Sequence, residues 1–269
     1  YYYSTSNTNT GGIEWSKVTS STSLNAGTYY MYAVIAETTN YNGKTTAAKQ
    51  FTISKAAGKV TLSPTSGSVT YGTASKTFTA TNNSGTLTLT ADNANAKVTI
   101  KNGTVTISNL ATINAGTTIR VTVSVAQSTN YKAGSAVYTL TINKADINPS
   151  ITMTGYTYGG TKNSPSVDIG SETATFYYSQ SNTNSGGTLW SEVTSSISLD
   201  AGTYYMYAVI SETKNYNEAT TAATEFTINK ADITGIEFSG STIPYDKNTH
   251  SLAITGTLPE NVSVSYTLN

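Results

Sequence analysis

His250 is the only histidine among 269 residues, and there is no cysteine. A nucleophile needs a base poised near neutral pH and an acid to orient it. His250 sits in "DKNTHSL", a turn-forming stretch rich in Asp, Asn and Ser. The rest of the chain has no histidine, so no nucleophile–histidine–acid set can be built there. An exposed turn histidine is therefore expected. The missing thiols exclude disulfides, a cysteine nucleophile and a thiolate metal site. Glu37 and Glu212 recur at equivalent places beside an Asn-Tyr pair, but Gln127 stands there in a third, related stretch. A glycosidase-type pair of carboxylates is not built that way. The segments "DNANAK" (92–97) and "PYDKN" (244–248) carry oxygen ligands at too low a density for a calcium loop. Lys55, Lys144 and Lys230 recur in "ISKA" and "INKA". A lysine–asparagine crosslink would need a buried acid beside them, and at these positions a linker role suffices. No catalytic, cofactor-binding or metal-binding residue is expected.

Tyrosine is the remaining chemistry, with 20 copies. In "GTYYMYAVI", a strand puts Tyr204, Met206, Ala208 and Ile210 on one face, with Tyr205, Tyr207 and Val209 on the other. The first face suits a core. Tyr30, Tyr32, Tyr205 and Tyr207 then point outward, beside Tyr1, Tyr2, Tyr3, Tyr177 and Tyr178. They form either a cross-strand packing ladder or a flat platform for stacking sugars. The low charge, 11% of residues against a usual ~25%, suits either.

The elements that carry these tyrosines are strands. Thr, Tyr, Val and Ile fill alternating runs, and Asn and Gly punctuate them. Segments of helical period are hard to find. The expected fold class is all-β. Net charge is zero, and no basic stripe of a nucleic-acid binder is visible. No apolar run approaches a membrane span, and residues 1–30 lack a signal-peptide pattern.

The strands repeat. Residues 1–56 recur without a gap at 176–231, with most positions identical. A divergent copy between them keeps the landmarks: "NAGT" at 25–28 and 114–117, "DAGT" at 200–203, and Asn-Tyr at 40–41, 130–131 and 215–216. A second landmark, Tyr71-Gly72, Tyr158-Gly159 and Tyr245-Asp246, recurs at an interval of 87 both times. That length suits one β-sandwich rather than a solenoid coil. The expected division is the later part of one domain (1–56), a divergent complete domain (57–145), a complete domain (146–231) and the early part of another (232–269). The two ends hold complementary portions of a domain. They read either as a window from a longer array or as surfaces that complete one another head to tail between chains. Each unit runs into the next without a Gly/Ser spacer, which limits bending and implies an elongated rod.

"DAGTYYMYAV" resembles strand F of immunoglobulin domains, with its tyrosine corner. The resemblance implies that Tyr204 and Tyr29 return their hydroxyls to the preceding turn, and that Met206 and Met31 stand where a disulfide cysteine would be. Ile119 replaces the corner tyrosine in the divergent copy. There, Ile119, Val121, Val123 and Val125 take the inward places. Trp15 and Trp190 follow an Asn-rich turn and do not match the buried tryptophan of antibody domains. More closely, "YYSQSNTNSGGTLWSEV" and "FTINKA" resemble tandem bacterial surface immunoglobulin-like repeats. "KADITGIEFSGSTIPYDKNTHSLAITG" resembles the YDG or MBG type, and residues 98–145 resemble the group-2 bacterial type. The resemblance implies tandem sandwiches in an extracellular or cell-surface stalk. Its implied partners are neighbouring repeats and, in some such proteins, host glycans or proteins.

Overall fold

The computed structural model describes residues 1–169, 173–194 and 198–267. They form two compact units: Tyr1–Ala145 with Thr213–Tyr216, and Asp146–Glu212 with Asn217–Asn269. Among the described residues the helical elements are two 3-10 turns, Trp15–Lys17 and Trp190–Glu192. The expected all-β sandwich class is what the strands build.

The first unit contains a complete sandwich. One sheet runs in the order Leu87–Ala91, Thr118–Val125, Gly134–Asn143, Ser66–Thr70. The facing sheet runs Lys97–Lys101, Thr104–Ser108, Ser75–Asn82, Val60–Ser63. Alternation decides what lies between them. Ile119, Val121 and Val123 meet Val105, Ile107, Leu140 and Ile142 in one buried cluster. Each such side chain contributes about 1.5–3 kcal/mol by leaving water. The Lys101–Thr104 hairpin turns on Asn102 and Gly103, both at positive φ, as an Asn-Gly turn between twisted strands requires. Ser66–Thr70 pairs parallel with Gly134–Asn143, over five residues from Ser66 opposite Thr139 to Thr70 opposite Asn143.

Residues 1–56 add a sheet in the order Ile13–Glu14, Tyr2–Ser4, Gly27–Tyr32, Lys49–Ile53. In the second unit, the matching sequence gives the matching sheet: Thr188–Leu189, Ala174–Ser179, Gly202–Ile210, Thr224–Asn229. Tyr156–Thr157 joins its edge by a two-residue parallel pairing with Ile228–Asn229. Ile151 and Met153 pack from outside this sheet onto Trp190, Tyr204, Met206, Ala208, Ile210 and Phe226. Met206 is completely buried, so an unbranched thioether fills the place the resemblance assigned to it.

Candidate functional site

Four rings set the local structure of each copy. Tyr178 meets Trp190 and Tyr204 edge-on, Trp190 meets Phe226 edge-on, and Tyr204 stacks on Phe226. Tyr3, Trp15, Tyr29 and Phe51 reproduce the arrangement. Edge-to-face contacts of this kind add to simple burial. The corner tyrosines behave as the immunoglobulin resemblance implied. Tyr29 Oη donates to Asn25 O at 2.9 Å, and Tyr204 Oη to Asp200 O at 3.1 Å.

The outward tyrosines are placed differently from the strand-alternation expectation. Tyr32 and Tyr207 are only 4% and 3% exposed. Each stacks on a neighbouring tyrosine, Tyr2 or Tyr177. Each hydroxyl accepts the backbone N–H of Gly12 or Gly187 at 2.9 Å. The Asn-rich loop folds back over the ring, tied by Asn9 Nδ2 to Thr46 O and by Asn184 Nδ2 to Thr221 O. A Cβ at Gly12 would lie 2.9 Å from the Tyr32 ring, and one at Gly187 2.9 Å from the Tyr207 ring. Gly11 and Gly186 carry the positive φ of the turn. The glycine pairs are thus explained by one turn and one close approach. Tyr32 and Tyr207 offer no stacking face, which leaves Tyr30 and Tyr205 half-buried at the surface. Tyr205 Oη donates to Glu225 at 3.2 Å, and that bond, more than burial, pushes its ionisation above the usual tyrosine value.

The other candidates lie apart. His250 Nε2 is 2.8 Å from Asp246 Oδ1 in an exposed turn. The Asn248 backbone N–H, and then His250, hold the Asp246 carboxyl below its ordinary value. Glu37, Gln127 and Glu212 are exposed. Lys230 is exposed, Lys55 and Lys144 are half-buried, and no acidic side chain is buried among the described residues. No cluster of three metal-ligating side chains occurs among the described residues. No described helix is long and apolar enough to cross a membrane.

Within the first unit, two Asn-Tyr loops engage two Asn-Ala-Gly corners. Asn130 Oδ1 accepts the Ala26 N–H at 2.7 Å, while Asn130 Nδ2 donates to Asn25 Oδ1 at 2.9 Å. Asn215 does the same to Ala115 N–H, at 3.0 Å, and Asn114 Oδ1, at 3.1 Å. Each loop asparagine also accepts a backbone bond at 2.9 Å, Asn130 O from Ala56 and Asn215 O from Ala145. The Tyr216 ring meets Tyr71 edge-on at 5.5 Å. Tyr71 is held by its N–H donating to Asn143 O at the end of the last strand. The sequence displayed every one of these residues as a landmark. Their pairing was hidden, because the partners stand 104 and 100 residues apart.

No family model matches this chain, and no curated protein does. Among solved structures it is similar to immunoglobulin domains 1–4 of Sidekick-1, at 16% identity and a TM-score of 0.32, covering 77% of this chain and 59% of that one. It is similar to protocadherin γB7 domains EC3–6, at 11% identity and a TM-score of 0.32, covering 87% and 64%. A tri-modular endo-β-1,4-glucanase of Bacillus licheniformis, complexed with cellotetraose, shares 12% identity at a TM-score of 0.24, covering 63% and 38%. The chain spans less than two thirds of each.

Proposed function

We propose that this chain is a structural segment of tandem immunoglobulin-like repeats in a bacterial cell-surface or secreted protein, where it serves as a stalk in adhesion or surface architecture. The division into repeats at 1–56, 57–145, 146–231 and 232–269 belongs to this reading, as do the YDG or MBG and group-2 bacterial types. The observation that carries it is the reuse of one polar coupling: Asn130 on Asn25–Ala26, and Asn215 on Asn114–Ala115. A catalytic or transport module has no need to repeat a joint. A stalk does, because each joint restricts the bending that a Gly/Ser linker would allow.

Small-angle scattering tests the reading. A stiff rod should gain about 30–35 Å in length per repeat, the reach of a ten-residue strand. Asn130→Ala should broaden the distribution of lengths without unfolding the sandwich. A compact particle, or a variant indistinguishable from the parent, overturns the stalk. Sugar binding is the weaker reading, since burial removes Tyr32 and Tyr207 from its platform.

A further inference from the structure

We propose that Tyr177 with Tyr207, and Tyr2 with Tyr32, are sites of oxidative crosslinking, where hydrogen peroxide and a haem peroxidase join the two rings of each pair by a carbon–carbon bond. The inference goes beyond the stalk reading and does not rest on it, since it needs only the placement of the rings.

Strand register brings the partners together. Tyr177 stands opposite Tyr207, and Tyr2 opposite Tyr32, on neighbouring antiparallel strands. Their side chains rise from one face of the sheet, so the rings run side by side. The centroids are 5.3 Å apart at an interplanar angle of 13° in one pair, and 5.5 Å apart at 14° in the other. Stacked carbons keep their layers about 3.5–4 Å apart. Each ring is therefore displaced sideways by about 4 Å, which lays rim over rim.

Orientation decides the chemistry. A phenol that loses one electron and one proton carries its unpaired spin on the oxygen and on rim carbons that include both Cε atoms. Two such radicals join through π lobes, which point out of the ring planes. Near-parallel rings aim these lobes at each other. Tyr71 and Tyr216 provide the contrast, because their centroids are also 5.5 Å apart, but at 84°. There a lobe of one ring meets the C–H edge of the other. Adjacency in sequence is no substitute. Tyr177 and Tyr178 lie on opposite faces of their strand, and Tyr178 meets Trp190 and Tyr204 instead.

Oxidation begins at Tyr177, which is half-buried, whereas Tyr207 is 3% exposed. The Tyr177 radical takes an electron from Tyr207 through the stack and is then oxidised a second time. The Tyr207 oxygen accepts the Gly187 N–H, which leaves its own hydrogen free to depart. One Cε of each ring forms the new bond, and the hydrogens on those carbons move as protons to the oxygens, restoring both phenols. The pair loses two hydrogen atoms in all, and one hydrogen peroxide becomes two waters. With no cysteine in the chain, no thiol of its own intercepts the radicals. The product ties Ala174–Ser179 to Gly202–Ile210 by a covalent staple, the kind of constraint that a disulfide supplies.

The test treats the full chain at micromolar concentration with a haem peroxidase and hydrogen peroxide, then maps joined peptides by mass spectrometry. Tyr177–Tyr207 and Tyr2–Tyr32 peptides, each two hydrogen atoms lighter than its parts, should exceed Tyr71–Tyr216 peptides by at least about tenfold. Tyr177→Phe keeps the ring and removes the phenol, so it should abolish the first product and leave the second. The chain oxidised in denaturant should lose the preference, and a preference that survives there overturns the proposal. Coupling between molecules through Tyr41, which is 79% exposed, certifies the oxidant at higher concentration. If that coupling occurs while neither stacked pair joins, or if Tyr71 and Tyr216 join equally well, the proposal is overturned.

Discussion

Residues 1–56 and 176–231 carry nearly the same sequence and fold to nearly the same aromatic box, yet Trp15 is 37% exposed and Trp190 only 5%. Local sequence sets the ring geometry in both. Burial is supplied from elsewhere. Trp190 shares its buried cluster with Ile151 and Met153, and Lys162 Nζ sits 4.7 Å from its ring centroid and donates to Trp190 O and Val193 O. The comparison separates what a repeat encodes for itself from what a neighbouring strand must bring.

The largest effect should come where the two copies differ. Trp190→Ala removes a buried aromatic and should cost the second unit about 3–5 kcal/mol. Trp15→Ala, at a half-open site, should cost about 1 kcal/mol. Denaturant unfolding of the two variants measures both, and equal losses would dissolve the contrast.

Where the copies agree, the effects should match. A Cβ at Gly12 or Gly187 meets a carbonyl oxygen, Tyr3 O at 2.9 Å or Tyr178 O at 2.7 Å, as well as a tyrosine ring. Gly12→Ala and Gly187→Ala should therefore each cost about 1–3 kcal/mol by overpacking. A mismatch between them in thermal unfolding would mean that the loop depends on its surroundings.

A smaller effect isolates hydroxyl bonding. Tyr204→Phe removes the corner bond and should cost about 1 kcal/mol, as should Tyr29→Phe. Tyr138 makes the opposite case. Its ring stacks on Phe78 at 4.0 Å, its hydroxyl is buried without a partner among the described residues, and burial raises its ionisation. Tyr138→Phe should cost nothing or stabilise, as calorimetry of each variant would reveal.

The smallest effect is a titration. The Tyr205 ionisation is raised by its bond to Glu225, so what that bond contributes is present below the unfolded tyrosine value. It is lost as pH rises through the folded one. Glu225→Gln should move the Tyr205 midpoint back toward the ordinary value in an absorbance or NMR titration. An unmoved midpoint would assign the shift to burial instead.

The sequence revealed the parts of this fold that depend on period two. Alternation found Tyr204, Met206, Ala208 and Ile210, and in the divergent copy Ile119, Val121, Val123 and Val125; all eight are buried. The corner hydroxyls were legible for a different reason: the immunoglobulin resemblance implied them, and its motif is short because the bond closes within four residues. Tyr32 and Tyr207 escaped because alternation assigns a face but cannot see a loop returning over it. The Gly-Gly pair of that loop was the available signal. The loop-to-corner pairing escaped for the same physical reason on a longer scale, since no local period connects Asn130 with Asn25.

The parallel pairing of Ser66–Thr70 with Gly134–Asn143 acquires a different meaning under tension. When a strand near the start of a sandwich and its last strand run side by side in the same direction, pulling the two ends apart slides one along the other. All the bonds of the patch must then yield together, whereas a hairpin pulled at its open end unzips one bond at a time. Residues 57–145 hold five such pairs, and the edge of the second unit holds two. Forced unfolding is governed by the rate of escape and not by equilibrium stability. Under a steady pull the divergent repeat should therefore be the last to open.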